Sequence, residues 1–351
     1  MNAIVEAGGG KRNAAPEQDK ILNAILRHLY SYYTHKDHEE IAINQPGEVW
    51  VKRRRAAPGE SLWFTVDDPT LTFEYLELCC RALANANNQK FGDGMGKMPV
   101  VYTQLPGGHR FTAGMYKNFV YDIPRPKGGV CMAIRQAPRD DNVIEFSDYG
   151  LEEGVRVEAA PKFKEQADTS TDDLSKLRDA INRGSHLVVS GATGTGKTTL
   201  LNKILSELDP KLRLMTIEDT RELAVPHQNR VHIVLSRTEQ VNNFDDGAAI
   251  NLVTRMTPDI IICGEVSTGN AKTIWELTGS GHGSMMTTIH AEDPESALAT
   301  FCKRIQHQDP NLDVAGTISE MRERFTVVQI IKDPLSGRRR ISAIETFKGM
   351  H

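Results

Sequence analysis

Residues 191–198 read GATGTGKT, and the flanking residues decide which fold carries them. Upstream lies HLVVS (186–190), a short apolar, β-branched run. Downstream lies KTTLLNKILSEL (197–208), whose apolar residues recur at helical spacing. Strand, glycine-rich turn and helix in that order match G-x-x-x-x-G-K-[ST] in both pattern and context. The glycines let consecutive backbone amides curl toward phosphate oxygens, and the helix N-terminus adds partial positive charge. Gly191, Ala192, Thr193, Gly194, Thr195, Gly196, Lys197, Thr198 and Thr199 are therefore the candidate nucleotide cradle. Lys197 is placed to reach the β- and γ-phosphates of ATP, and the Thr198 hydroxyl to ligate Mg²⁺.

Outward from this loop the pattern stays regular. A helix (DDLSKLRDAINRG, from 172) precedes HLVVS, and strands LRLMTI, VHIVL, DIIIC and SMMTTI follow among the helices DDGAAINLVTRM, NAKTIWELT and PESALATFCKRIQ. Apolar strands alternating with helices predict an α/β domain with a mainly parallel sheet covered by helices. A helix near 311–323 and a closing hairpin around a Pro/Gly turn complete it. Ligands of such sheets bind at the carboxyl ends of the strands. Glu218 and Asp219 leave LRLMTI there, Glu265 leaves DIIIC through Gly264, and His290 leaves SMMTTI. Nucleotide hydrolysis needs a carboxylate to orient or deprotonate water and another to hold Mg²⁺ directly or through water. Glu218 and Glu265 are the candidates, and either order of roles fits.

TGSGHGSMMTTIHA (278–291) holds His282 and His290. Zinc would need further protein ligands, and no cysteine lies near enough to make a zinc pattern. His290, at a strand end, suits a hydrogen bond to a γ-phosphate or to a neighbouring carboxylate. His282 sits in the glycine-rich turn, where holding the loop and moving with it are both open.

The first part of the chain has a different texture. Residues 1–15 read as a flexible lead-in. Ala15 to Tyr33 is an amphipathic helix, suited to packing on its own domain or to docking elsewhere. EIAINQPGEVWVKRR is a hairpin, residues 71–87 a second helix, and 100–136 strand-like. A small α+β domain over 16–137, a charged linker over 138–171 with a short helix near 142–149, and a second domain over 172–351 follow.

Composition excludes several classes. The formal net charge is −4, so nothing general draws the chain to nucleic acid or anionic lipid. The runs Lys52–Arg55 and Arg338–Arg340 read as a solvated face or hairpin turn. The 5 cysteines form no C-x-x-C pair, which suits a reducing compartment.

GATGTGKTT, IEDTRE, RMTPDIIICGEV and TGSGHGSMMTTIHA, in this order, resemble the Walker A, Asp box, Walker B and His box of the secretion-superfamily traffic ATPases. EIAINQPGEVWV resembles the N-terminal hairpin of the type IV secretion and conjugation branch, and the tetracysteine insert frequent in the type II branch is missing. The resemblance implies a RecA-like P-loop domain and a homohexameric ring with nucleotide between the domains. It implies a cytoplasmic ATPase, peripheral at the inner membrane, that works with inner-membrane components and other ATPases of a type IV secretion complex. The work implied is pilus biogenesis and substrate transfer; the acidic balance and the lack of interleaved aromatic and basic residues argue against direct contact with nucleic acid. A nucleotide-switched scaffold with slow hydrolysis, or a type IV pilus or type II secretion motor, is the alternative. The resemblance also implies arginines reaching the phosphates from the first domain, and Arg135 (MAIRQ) and Arg110 (LPGGHRF) match. The chain departs from the family in three places: Ser267 and Thr257 stand where arginines are usual, and GHGS replaces GHPG.

Overall fold

In a computed structural model of the chain, the described residues are 16–57, 59–123, 125–137, 172–182, 184–235, 243–279, 281, 283–333 and 335–346. The lead-in, the linker with its expected helix, and His282 lie outside them. The elements begin with α1 (Pro16–Ile25), α2 (Arg27–Thr34), β1 (His38–Gln45), β2 (Glu48–Arg53), β3 (Trp63–Asp67) and α3 (Phe73–Ala86). β4 (Val100–Gln104), β5 (Arg110–Tyr116), β6 (Phe119–Val120) and β7 (Gly129–Arg135) follow. Then come α4 (Asp173–Asn182), β8 (His186–Gly191), α5 (Lys197–Leu205), β9 (Leu214–Glu218), β10 (Arg230–Val234), α6 (Asp246–Thr254) and β11 (Ile260–Cys263). α7 (Ala271–Thr278), β12 (Ser284–Ile289), α8 (Pro294–Gln308), α9 (Val314–Arg324), β13 (Phe325–Lys332) and β14 (Arg339–Thr346) close the chain. The fold is α/β. Among the described residues no helix is long and apolar enough to cross a membrane.

The first sheet is antiparallel, in the order β3-β2-β1-β7-β5-β4. Side chains alternate between its faces. Ile41, Ile43, Val130, Met132 and Ile134 join one core with α1, α2 and α3. The single helix expected over 15–33 is interrupted at Leu26; of its apolar stripe, Leu22, Leu26, Leu29 and Tyr33 are buried in that core with Ile25 packed beside it, while Ile21 and Tyr30 stay exposed. Cys131 and Ala133, one residue out of phase on β7, enter the core of the second domain instead. The first sheet is thus covered on both faces, which explains the unbroken apolar run of β7.

The second sheet runs β14-β13-β8-β12-β11-β9-β10-β6. It is parallel from β13 to β10, with antiparallel strands at both edges. One edge, β6, comes from the first-domain stretch: Phe119 and Val120 pair with Ile233 and His232. The Phe119 ring lies 5.6 Å from that of Phe244, inside the second domain's core. Strand residues alternate between two cores: Val188, Met215, Ile261 and Met285 face α6 to α9, while Leu187, Val189, Leu214 and Ile262 face α4 and α5. In register, Ile289 sits beside Ser190, and Cys263 lies between Ile217 and Thr287. The carboxyl ends of β8, β9, β11 and β12 therefore open at one edge.

Between the two sheets lies a buried polar cluster. The Thr257 hydroxyl donates to Glu40 Oε2 at 2.6 Å, and Asn44 Nδ2 donates to Asn229 Oδ1 at 2.9 Å. Arg213 is wholly buried, donates to Asn229 Oδ1 (2.7 Å) and to the Met256 carbonyl (3.1 Å), and lies under the Trp63 ring. Thr257 has φ +45, a left-handed conformation costly for a β-branched residue. Its hydroxyl gives Glu40, on the first sheet, a hydrogen bond from the turn before β11 of the second.

Candidate nucleotide site

The open strand ends border a cleft of about 600 Å³ lined by Thr193, Gly194, Gly196, Lys197, Thr198, Thr199, Glu218, Asp219, Glu222, Asp246, Glu265, Asn270, His290 and Arg339. Gly196 caps α5 with φ +94, which aims the first amides of the helix into the cleft and admits only glycine cheaply. Lys197 is 8% exposed. Its ammonium donates to the carbonyls of Gly191 (3.1 Å) and Ala192 (3.2 Å) and meets His290 Nδ1 at 3.0 Å. Burial pushes the amine below the ordinary lysine range, while the Glu265 charge pulls it back up. An ammonium has only donors, so His290 Nδ1 accepts and its proton sits on Nε2. Nε2 faces Glu265 Oε2 at 3.7 Å, and Arg304 Nη1 lies 3.9 Å from Glu265 Oε1. His290 therefore links the phosphate loop to the β11 carboxylate.

The two candidate glutamates differ sharply. The Glu265 side chain is 49% exposed and borders the cleft. That of Glu218 is 2% exposed, and both its oxygens are occupied. Oε2 accepts the amides of Glu222 (2.8 Å) and Leu223 (2.7 Å), and Oε1 accepts the Thr216 hydroxyl (2.9 Å). With its one proton given to Glu218, Thr216 must accept from His232 Nδ1 at 2.9 Å. His232 Nε2 then accepts from Arg221, 2.8 Å away, and Arg221 also donates to Asp122 at 3.3 Å, just beyond β6. Burial, then the charges of Arg221 and Arg230, push His232 down to about 3, which keeps the neutral tautomer this chain requires. Glu218 thus folds the 219–223 loop back on β9 and ends, in the interior, a hydrogen-bond chain that starts at exposed Asp122.

Thr198 Oγ1 donates to Glu222 Oε2 at 3.4 Å, so the carboxylate beside the expected metal-binding hydroxyl is Glu222 and not Glu218. Hard oxygen donors of this kind suit Mg²⁺. Glu222 stood in the IEDTRE motif unassigned. Asn270, which belongs to none of the sequence motifs, donates its amide to the Glu265 carbonyl (3.0 Å) and accepts the Ser267 amide (2.7 Å), holding the turn after β11. Where the family's arginine would follow Glu265, Ser267 stands, and Arg304 from α8 supplies a guanidinium beside Glu265 and donates to the Val266 carbonyl. Gly283 has φ +62, and a Cβ there would lie 2.3 Å from the Asp259 carbonyl oxygen. Proline cannot take that φ, so this turn excludes the family's GHPG.

Arg110 and Arg135 face each other across β5 and β7, both exposed, and neither is among the residues lining the cleft. Arg255 stacks over Tyr102 of the first domain at 5.0 Å. Arg339, exposed on the closing hairpin, also borders the cleft at Gly196.

The chain matches the family described as Type II/IV secretion system protein over residues 31–307. Among curated relatives, the type IV secretion system protein PtlH of Bordetella pertussis is 26% identical over 342 residues, 94% of this chain and 96% of that one. The type IV secretion system protein VirB11 of Brucella suis is 30% identical over 292 residues, 79% of this chain and 76% of that one. Among solved structures, the VirB11 ATPase of the Brucella suis type IV secretion system in complex with sulphate superposes with a TM-score of 0.77 at 25% identity, covering 94% of this chain and 95% of that one. With a phosphate loop, a cleft glutamate and a linking histidine on one sheet edge, the chain belongs to the type II/IV secretion system protein family, as a P-loop ATPase similar to the VirB11 proteins of type IV secretion.

Proposed function

We propose that this chain is the subunit of a hexameric ring motor that hydrolyses ATP with Mg²⁺ at the cytoplasmic face of the inner membrane, powering type IV secretion or conjugation. The observation that carries it is the Lys197–His290–Glu265 contact series at the mouth of the cleft. Glu265, exposed and free to face a water, is the general base, and Glu218 positions the loop that carries Glu222. Thr198 and Glu222 would hold Mg²⁺, which would supply neutralisation of phosphate charge. Lys197 neutralises the transferred phosphoryl group, and His290 couples its presence to Glu265. Arg110 and Arg135 act on the cleft of a neighbouring subunit, since both are exposed and the cleft of their own chain is lined by the second domain. That the relatives are type IV secretion system proteins supports partner components of such a complex; peripheral membrane contact is part of the proposal.

Lys197→Ala tests the reading. Removing a charged group aimed at the developing phosphate charge is expected to lower turnover by about 10²–10³-fold. A purified variant that hydrolyses ATP at the wild-type rate would sink the proposal.

A further inference from the structure

Arg339 has no part in the roles above, yet it occupies a built position. β13 pairs Ile330 with Gly191 at the start of the phosphate loop, and β14 pairs Arg339 with Lys332 at the same end of the hairpin. The hairpin tip is thereby brought over the loop. A Cβ on Gly196 would lie 3.1 Å from Arg339 Nη1, 3.2 Å from its Cδ and 3.3 Å from its Cζ. The guanidinium thus takes the space that any side chain at position 196 would need. Its side is informative too. β8 stands between β13 and β12, so Arg339 approaches from one flank of the loop while His290 and Glu265 approach from the other. Among the described residues no ion pair or side-chain hydrogen bond engages Arg339, and it is exposed to the cleft. An unpaired planar fork of donors in an anion-binding cleft is fitted to phosphate oxygens. The amides around Gly196 cradle the α- and β-phosphates in loops of this pattern.

We infer that Arg339 is a nucleotide-binding residue that grips the α,β-diphosphate shared by ATP and ADP, on the flank away from the bond that breaks. The inference rests on the phosphate loop being the nucleotide site. Binding that is equal in ground and transition state alters KM and leaves kcat alone. A charge-assisted hydrogen bond is worth about 1.5–3 kcal/mol, or roughly 10- to 100-fold in affinity.

The test titrates a fluorescent ADP into the full-length wild type, Arg339→Gln, Arg339→Lys and Lys197→Ala, and measures kcat and KM for ATP in the two Arg339 variants. Arg339→Gln is expected to weaken ADP binding and raise KM for ATP by about 10-fold or more, with kcat within about 2-fold of wild type. Arg339→Lys, which keeps the charge, should fall between. An exposed residue can be replaced with little effect on the fold, and a melting curve without nucleotide checks this. Unchanged ADP affinity in Arg339→Gln overturns the inference, as does a fall in kcat with unchanged affinity, which would move Arg339 to the breaking bond. Failure of ADP to bind the wild type at all would instead remove the nucleotide site itself, so the two failures are separable.

Discussion

Glu265→Gln is expected to lower kcat by about 10²–10⁴-fold, the range for losing a positioned general base, while ATP binding stays near wild type. The amide keeps the shape of the carboxylate and its place at the cleft, but takes up no proton from water. Glu218→Gln should behave differently. Its new NH₂ group would face either the Glu222 and Leu223 amides or the Thr216 hydroxyl, all of which donate to Glu218. Donor would meet donor, and the 219–223 loop that carries Glu222 would lose its anchor. Nucleotide affinity should fall together with turnover. Measuring kcat and ATP affinity for both variants separates the roles. A Glu265→Gln protein with wild-type kcat would return the base to Glu218.

The second large effect lies between the domains. Arg213→Met is expected to destabilise the protein by about 3–5 kcal/mol, because it leaves Glu40 buried without its neighbouring cation. Glu40 is already held above the ordinary carboxylate range, chiefly by burial, against the pull of the Thr257 hydrogen bond and the Arg213 charge. A carboxyl with a raised folded pKa contributes stability that is present below its unfolded pKa and is lost as pH rises through the folded one. The stability of the variant should therefore fall more steeply from the carboxylate range upward than that of the wild type. Adding Glu40→Gln to Arg213→Met should recover part of the loss and flatten the pH dependence. Denaturant melts across pH check both; an Arg213→Met protein as stable as wild type would show that Glu40 does not depend on Arg213.

The phosphate loop and the strand ends were legible because both depend on local pattern: a strand, a glycine turn, a helix, and polar residues just after apolar runs. The choice between Glu218 and Glu265 was not, since it turns on where the 219–223 loop folds. Two backbone amides and a threonine hydroxyl consume Glu218, and nothing in IEDTRE announces them. The triplet Arg338–Arg340 lies exposed on the closing hairpin, as its place beside a Pro/Gly turn suggests, but that Arg339 also borders the cleft depends on the pairing of β13 with β8, a contact between residues far apart in sequence. The domain boundary hid β6 for a related reason. Two residues are too short to read as a strand, and their partner β10 lies over a hundred positions on. The stretch 100–136 reads only as strand-like; that its run GVCMAIR is buried on both faces, the second against the core around α6 to α9, emerges from the packing.

The most direct test of the ring motor is the specific rate of ATP hydrolysis measured against protein concentration, with Lys197→Ala as the blank. If exposed arginines of one subunit complete the cleft of the next, the rate per subunit rises with concentration and levels off as rings fill. A rate per subunit that is the same at every concentration, from the most dilute upward, would mean that each chain completes its own site, and would contradict the account.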